Sequence, residues 1–472
     1  MREGLTYNDV LLVPKRTPLN SRSEGELKTK FTTNIYLNNP LVSANMATVT
    51  EHKMAIAMAR EGGLGIVHQF CPIEEQVNYV RKVKRSTSRV IENPVTTLEN
   101  ITIREAIDLM NEEEVTSLLV TKKKKLVGIF TSRDYLFEEN LDRKISEVMT
   151  PKEKLITAEY GISIEDAKKI LHQYRIEKLP LLKHGKLAGL MTTQDIVKLD
   201  YWTNACRDSK GRLMVGAAVG VKDTIERAGA LIKAGIDVIV LDIAHCHSDY
   251  AIKRIQELKE NFSIDVMAGN IATGQAAEDL IKAGADGLKV GIGPSPVCST
   301  RIVSGAGVPQ LTAVMDVCAV AKKYNIPVCA DGGLKESGDI VKALAAGASS
   351  IFSGTLFAGT DESPGIILMK DGKKFKKYSG SASYESAHDR KEKLEGKKIK
   401  ERLDARIEGI ATLVDYKGPV EAVIKKLVEG VQSGLSYNGA RSILELQKNA
   451  EFIKITSNSW EESKTSGNKT SD

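Results

Sequence analysis

The sequence is poor in aromatics, in paired cysteines and in charge of one sign. Aromatic residues make up 5% of its 472 residues, too few for the stacking platforms of single-strand nucleic-acid binders. Its 67 Lys and Arg stand against 61 Asp and Glu, and the excess of +6 is interleaved with acid along the chain. That balance gives no footprint for DNA. Six cysteines without a CxxC pair, in so long a chain, are not a disulfide scaffold. No run of about 18 uncharged apolar residues occurs, which excludes a membrane-spanning helix. The opening MREGLTYNDVLLVPKR carries acid and lacks a long apolar core, so it does not read as a secretory signal. A reduced, soluble, cytoplasmic protein of roughly two to four domains is the expectation.

What is present is alternation. Eight short segments, apolar on both faces, lie at 40–46, 64–68, 213–218, 238–242, 265–270, 287–291, 327–331 and 350–354. Such segments are parallel strands covered by helices. Amphipathic stretches such as 224–234, 274–283 and 338–346 separate them, each ending in Ala-Gly (234–235, 283–284, 346–347), a glycine helix stop. Eight such units predict an α/β fold, a (β/α)₈ TIM barrel, with a doubly wound sheet as the alternative.

Between the second and third strands lies far more chain than one helix needs, and within it a repeat. Ile103-Arg-Glu-Ala106 matches Ile164-Glu-Asp-Ala167, and Gly128-Ile-Phe-Thr-Ser-Arg-Asp134 matches Gly189-Leu-Met-Thr-Thr-Gln-Asp195, both at an offset of 61. The two units resemble a tandem pair of cystathionine-β-synthase-type (CBS) modules, which bind adenine nucleotides in their clefts. Thr131, Asp134, Thr192 and Asp195 fall at the matching cleft positions; the alternative is that the aspartates cap the helices that follow. The predicted organisation is a first barrel part (1–89), a CBS pair (90–200, repeats about 90–148 and 149–200) and a second barrel part (201–463) with a flap at about 379–415. The charge-dense stretch 384–406 reads as a solvated helix or mobile flap, and 464–472 as a disordered tail.

Candidate chemistry gathers at the carboxyl ends of the strands, where barrel active sites lie. After the sixth strand, Gly291-Ile-Gly-Pro-Ser-Pro-Val-Cys-Ser-Thr-Arg301 offers Cys298 as a nucleophile in a glycine-rich loop, with Thr300 two residues on. Cys71, Cys206, Cys318 and Cys329 read as small buried hydrophobes. Asp331-Gly-Gly333 after the seventh strand and Gly354-Thr355 after the eighth suit a phosphate cradle, with Asp331 facing a ribose hydroxyl. His245 and His247 lack a third ligand at useful spacing, so a metal centre is not the reading. Asp242 and Asn270 read instead as polar groups holding a ligand near Cys298.

Together the segments NDVLLVP (8–14), SANM (43–46), the Cys298 loop, ADGG (330–333), FAGTDESPG (357–365) and YKGPV (416–420) resemble the IMP dehydrogenase/GMP reductase family from residue 1 to about 460. The resemblance implies that Cys298 attacks carbon 2 of a purine mononucleotide to give a thioimidate, with Thr300 and Glu408 handling protons. It places the nucleotide against Met46, Asp331, Gly333, Gly354, Thr355, Tyr378, Gly380 and Glu408. The nicotinamide cofactor is placed beside Asp242, Asn270, Gly291 and Gly293, and a potassium ion at Gly291, Gly293 and Cys298. It also implies a homotetramer, or octamers bridged by the CBS pair, with adenine or guanine nucleotide effectors.

Departures from the family pattern bear on the branch. The dehydrogenases carry an Arg-Tyr pair in the flap, where arginine activates water. This sequence has Leu394-Glu-Gly-Lys-Lys-Ile399 there, with Arg390 too far upstream and Arg402 too close to Glu408. The C-terminal Glu-Ser-His-Pro-His type ending is missing. Ser295-Pro296 replaces Gly-Ser, Ala47 replaces Asp, and Gly380-Ser-Ala-Ser383 replaces Gly-Met-Gly-Ser. The expectation is therefore a GMP reductase using NADPH. An IMP dehydrogenase using NAD is the first alternative, and a catalytically weak nucleotide-sensing regulator the second.

Overall fold

The computed structural model describes residues 1–86, 90–123, 125–384, 386 and 408–464. Most of the predicted flap, including Arg390, 394–399 and Arg402, and nearly all of the predicted tail lie outside the described residues. The chain divides into two compact units, Met1–Val83 with Asn204–Cys206 and Met214–Asp472, and Lys84–Thr203 with Arg207–Leu213.

The first unit is built on a closed barrel of eight parallel strands. These are β1 (Leu41–Ser43), β2 (Leu64–Val67), β3 (Gly216–Val219), β4 (Val238–Asp242), β5 (Asp265–Ile271), β6 (Gly287–Val290), β7 (Val328–Asp331) and β8 (Ser350–Ser353). Closure runs through β8 and β1, with Ile351 opposite Leu41 and Ser353 opposite Ser43. β2 pairs β3 directly, Ile66 opposite Gly216, although more than a hundred residues separate them. Small and branched side chains interleave inside: Val42, Ala44, Leu64, Ile66, Ala218, Val240, Met267 and Phe352 share one buried cluster, as the layers of a filled barrel require.

The predicted helices form at Thr224–Ala234, Gly274–Lys282 and Ser337–Ala345. The glycine after each adopts a left-handed conformation, φ 92° at Gly235, 103° at Gly284 and 111° at Gly347, turning the chain back toward the next strand. Two features had no counterpart in the sequence reading. Val10–Leu12 pairs antiparallel with Phe452–Lys454, and a three-stranded sheet of Leu368–Lys370, Lys373–Ser379 and Ala411–Asp415 forms outside the barrel.

The second unit contains the repeat in three dimensions. The hairpin Ser117–Lys122/Lys125–Thr131 has its counterpart in Lys178–Lys183/Lys186–Thr192. The register shifts at Val120/Thr121 in one and at Leu181/Leu182 in the other, again 61 residues apart. Helices Ile103–Glu112 and Ile164–Tyr174 cover the two hairpins. Each half has its own buried cluster, around Phe130 and around Leu179. A third, of Leu119, Leu126, Ile129 and Leu190, draws on both halves, so neither repeat buries its apolar face alone.

Candidate active site

Most of the polar groups of interest stand at the carboxyl ends of β1 and β4–β8 or in the loops that follow, while Lys289 lies within β6, Tyr378 on the outer sheet and Glu408 just before its last strand. They open on a cavity of about 870 Å³, within the range of small-molecule sites. Every lining residue belongs to the barrel unit.

The loop after β6 carries Cys298, the candidate nucleophile. Gly291 (φ 154°) passes so close to β7 that a Cβ there would lie 2.1 Å from the Asp331 carbonyl oxygen. Only glycine fits that approach. The loop then places Cys298 two residues before a short helix, Thr300–Ser304. The Cys298 thiol donates to Thr300 Oγ1 at 3.2 Å, and the Thr300 hydroxyl donates to Glu408 Oε2 at 2.8 Å. Glu408 is held there by main chain: Ser299 N donates to the Glu408 carbonyl (2.9 Å), Ile410 N to Val297 O (3.0 Å) and Glu408 N to Ala382 O (3.1 Å). These bonds bring residues more than a hundred positions apart into one hydrogen-bonded chain.

Cys298 is the one cysteine of six that is not buried. Burial pushes the Cys206 thiol up to about 11 and those of Cys246, Cys318 and Cys329 up to about 12, so these stay protonated at neutral pH. Cys71 is buried too.

Across the cavity, Tyr378 reaches in from the outer sheet. Its hydroxyl lies 3.3 Å from Thr355 Oγ1 and 3.7 Å from Met46 Sδ. Burial raises its pKa, against a smaller opposing effect of the Thr355 hydrogen bond, so the phenol remains a donor. A Cβ at Gly354 would meet both Met46 Sδ and the Tyr378 hydroxyl at 2.6 Å. Gly332 and Gly333 turn left-handed at φ 83° and 74°, and Gly380 packs where a Cβ would lie 2.6 Å from the Val297 carbonyl. The structure thus brings Met46, Gly354, Thr355, Tyr378 and Gly380 together, with Asp331 on the same cavity wall.

The floor holds a residue that sequence reasoning passed over. Lys289 lies in the middle of β6, is 2% exposed, and bonds Asp242 Oδ1 at 2.8 Å and Asp331 Oδ2 at 2.7 Å. It also donates to Asn270 Oδ1 and sits 4.8 Å from the Phe352 ring centroid. Burial alone would depress the ammonium, but the two carboxylates outweigh it and hold its pKa above the ordinary lysine value. Asn270 Nδ2 donates to Gly291 O (2.6 Å) and Asp331 Oδ2 (2.7 Å), and Asn45 Nδ2 to Asp242 Oδ2 (2.7 Å). The signal in the sequence was a lysine inside a strand otherwise apolar on both faces.

Asp242 and Asn270 are the residues that would hold a nicotinamide group. Asp242 and Asn270 border the same cavity as Gln69, Phe70, Gly220 and Val221, which extend it over β2 and β3, away from the Gly354 side. The monovalent-cation positions fit less well. The Gly291 carbonyl accepts from Asn270, and Arg301 donates to the Ile292 and Val308 carbonyls of the same segment at 2.8 and 2.7 Å. His247 bonds Asp279 at 2.9 Å, and among the described residues no group of three His, Cys, Asp or Glu side chains could hold a metal ion.

In the second unit, Asp134 Oδ2 accepts from Thr131 N (2.6 Å) and Thr131 Oγ1 (2.9 Å). This is a capping box on helix Ser132–Tyr135, so the cleft position also has the structural role weighed above. Thr192 and Asp195 occupy the equivalent strand end and helix start.

Comparison with known proteins agrees with this geometry. The family model for the IMP dehydrogenase/GMP reductase domain matches residues 4–466. The chain is 50% identical over 468 residues to an inosine-5'-monophosphate dehydrogenase of Nitrosopumilus maritimus, covering 98% of each chain. It is 45% identical over 473 residues to a GMP reductase of Leishmania major, covering 96% of this chain and 95% of the relative. Among solved structures, a GMP reductase from Trypanosoma brucei in complex with guanosine 5'-monophosphate superposes with a TM-score of 0.90 at 43% identity, covering 99% of this chain and 98% of that one. The chain is a member of the IMP dehydrogenase/GMP reductase family, whose enzymes are NAD(P)-dependent oxidoreductases of purine mononucleotides.

Proposed function

We propose that this protein is a GMP reductase, converting GMP to IMP and ammonia with NADPH. The observation that carries the reading is an intact Cys298–Thr300–Glu408 relay in a sequence with no Arg-Tyr pair anywhere. The relay suffices for addition and loss of ammonia, whereas a hydrolytic branch needs a further base to activate water.

In this reading, guanine lies with carbon 2 over Cys298. The Asp331 carboxylate accepts from a ribose hydroxyl; both its internal bonds fall on Oδ2, which leaves Oδ1 for the sugar. The phosphate lies against the backbone of Gly333, Gly354 and Gly380 and the hydroxyls of Thr355 and Tyr378. The Cys298 sulfur bonds carbon 2 while its proton passes through Thr300 to Glu408. Glu408 returns a proton to the exocyclic amine, which leaves as ammonia, and a thioimidate remains. This divides one difficult substitution into two easier steps. Asp242 and Asn270 would hold the nicotinamide cofactor, which when bound would supply the hydride needed at carbon 2. The C–S bond then breaks and Cys298 leaves as thiolate.

The second reading, IMP dehydrogenase with NAD, is favoured by the identity to the Nitrosopumilus relative and by the inserted repeat pair. Nucleotide effectors at Thr131, Asp134, Thr192 and Asp195, and a homotetrameric or octameric assembly, belong to the same proposal. The test is a side-by-side assay. GMP with NADPH is expected to consume NADPH and release ammonia, with the thioimidate trapped on Cys298 by mass spectrometry. Oxidation of IMP with NAD and no turnover of GMP would move the assignment to the dehydrogenase branch. Cys298→Ala is expected to abolish turnover while retaining nucleotide binding.

A further inference from the structure

Two acidic side chains with different proposed duties meet on one buried ammonium. Asp331, on β7, faces the nucleotide; Asp242, on β4, faces the cofactor. Lys289 on β6 bonds both carboxylates, and through Asn270 Oδ1 it holds the amide that itself donates to Asp331. With 2% exposure, Lys289 is shut off from water and has no role as a surface counter-ion. Without it, two carboxylates would face one another across a low-dielectric floor, where like charges repel strongly. The surroundings over-determine its place: the Phe352 ring lies 4.8 Å from Nζ and is itself 1% exposed, so the stem cannot swing to solvent. A Cβ added at Gly269 would lie 2.5 Å from Lys289 Cβ, so β5 presses against it from the neighbouring strand.

We propose that Lys289 is a positioning residue that couples the nucleotide half of the site to the cofactor half, by fixing Asp331, Asp242 and Asn270 as one unit. A nucleotide that orders Asp331 orders Lys289, and through it Asp242 and Asn270, before the second ligand arrives. The second ligand then meets a site already arranged, which is positive coupling, and coupling is reciprocal by thermodynamic necessity. The inference rests on the placement of nucleotide and cofactor given under the proposed function. It does not depend on which branch of the family the enzyme belongs to.

The experiment is a binding cycle on the full-length protein, in which the affinity of GMP is measured by calorimetry with and without NADP⁺, and that of NADP⁺ with and without GMP. The same cycle is repeated with IMP and NADH, a pair that neither branch of the family turns over. Wild type is expected to show mutual enhancement, and Lys289→Met to lose it by about tenfold, with KM for both ligands raised more than kcat is lowered. Lys289→Arg, which keeps charge and donors, is expected to restore most of the enhancement. Asp331→Asn should weaken the nucleotide first and Asp242→Asn the cofactor first, each leaving part of the coupling. Should Lys289→Met not fold, Lys289→Met with Asp242→Asn removes one charge of each sign and serves in its place. Undiminished coupling in the folded methionine variant, or weakening confined to one ligand, would overturn the proposal. If the coupling appears only with IMP and NADH, the reductase reading fails while this inference stands.

Discussion

In the proposed mechanism Thr300 carries the heaviest duty for its size, because its single hydroxyl accepts from the Cys298 thiol and donates to Glu408. Removing it cuts both proton paths while leaving the methyl bulk in place. Thr300→Val is therefore expected to lower kcat by about 10²–10⁴-fold, the usual worth of general acid–base help, with little change in KM for the nucleotide. Steady-state rates at saturating cofactor check this. The cysteines make a second prediction. At pH 8 a thiol at about 11, as for Cys206, is about one part in a thousand ionised, and those at about 12 ten times less. Iodoacetamide on the native protein should therefore label Cys298 first, as read by peptide mass spectrometry, and bound nucleotide should protect it. Early labelling at Cys329 would contradict the packing. The same shifts bear on stability. The unfolded thiols ionise near 9.0 and the folded ones only near 11–12. Their contribution is therefore whole below pH 9 and is lost above it, at about 1.4 kcal/mol per pH unit for each thiol. Cys298, Thr300 and Glu408 were legible in the sequence through loop composition and family resemblance. Lys289 was not, because a strand buried on both faces was read by its apolar majority, and one charge within it passed as tolerable. Asn45 and Gln310, which bond Asp242 and the Asp331 carbonyl, were missed because polar side chains turned inward carry no periodic signature.

Elements hold these residues at their distances. The eight strands could be read directly, since short runs apolar on both faces, three of them preceded by helices ending in Ala-Gly, are what parallel strands under helices require. The outer sheet could not. Lys373–Ser379 reads KKFKKYS, with charge on most positions, and nothing in it announces that Tyr378 turns into the barrel mouth. Its partner Ala411–Asp415 lies more than thirty residues on. That pairing sets Gly380 beside Glu408–Ile410, with Gly380 N donating to Ile410 O at 3.0 Å. A methyl at Gly380 would stand 2.6 Å from the Val297 carbonyl, a backbone atom that cannot yield without moving the cysteine loop. Gly380→Ala is thus expected to lower kcat at least tenfold and to raise KM for the nucleotide. The melting temperature should fall only slightly, because the strain falls at the cavity rim and not in the barrel core. Kinetics and calorimetry on one preparation check the two parts together.

The whole molecule sets a barrel against an insert, and the pairing of β2 with β3 decides what the insert means. Those strands bond directly, Gly216 opposite Ile66 and Ala217 opposite Val67, so the barrel closes with none of the inserted residues in its wall. The cavity is lined from the barrel unit alone, and the insert has buried clusters of its own. Two self-sufficient cores in one chain imply separable stability and separable duty. The repeat was legible because a 61-residue period survives in sequence. The residues beyond it that complete the second unit, Arg207–Leu213, were not, since their contribution is made by pairing across the chain: Asp208 bonds Lys84 at 3.0 Å and Arg212 at 2.9 Å. Replacing residues 87–203 with a short Gly-Ser linker is therefore expected to leave a folded oxidoreductase with kcat and KM within about threefold of the intact chain. Any response to added adenine or guanine nucleotides should vanish. Turnover measured with and without ATP or GTP, on both proteins, gives the answer. A deletion that folds, by circular dichroism and a cooperative melt, yet loses turnover would show that catalysis draws on the inserted unit, and the separation argued from strand pairing would be wrong.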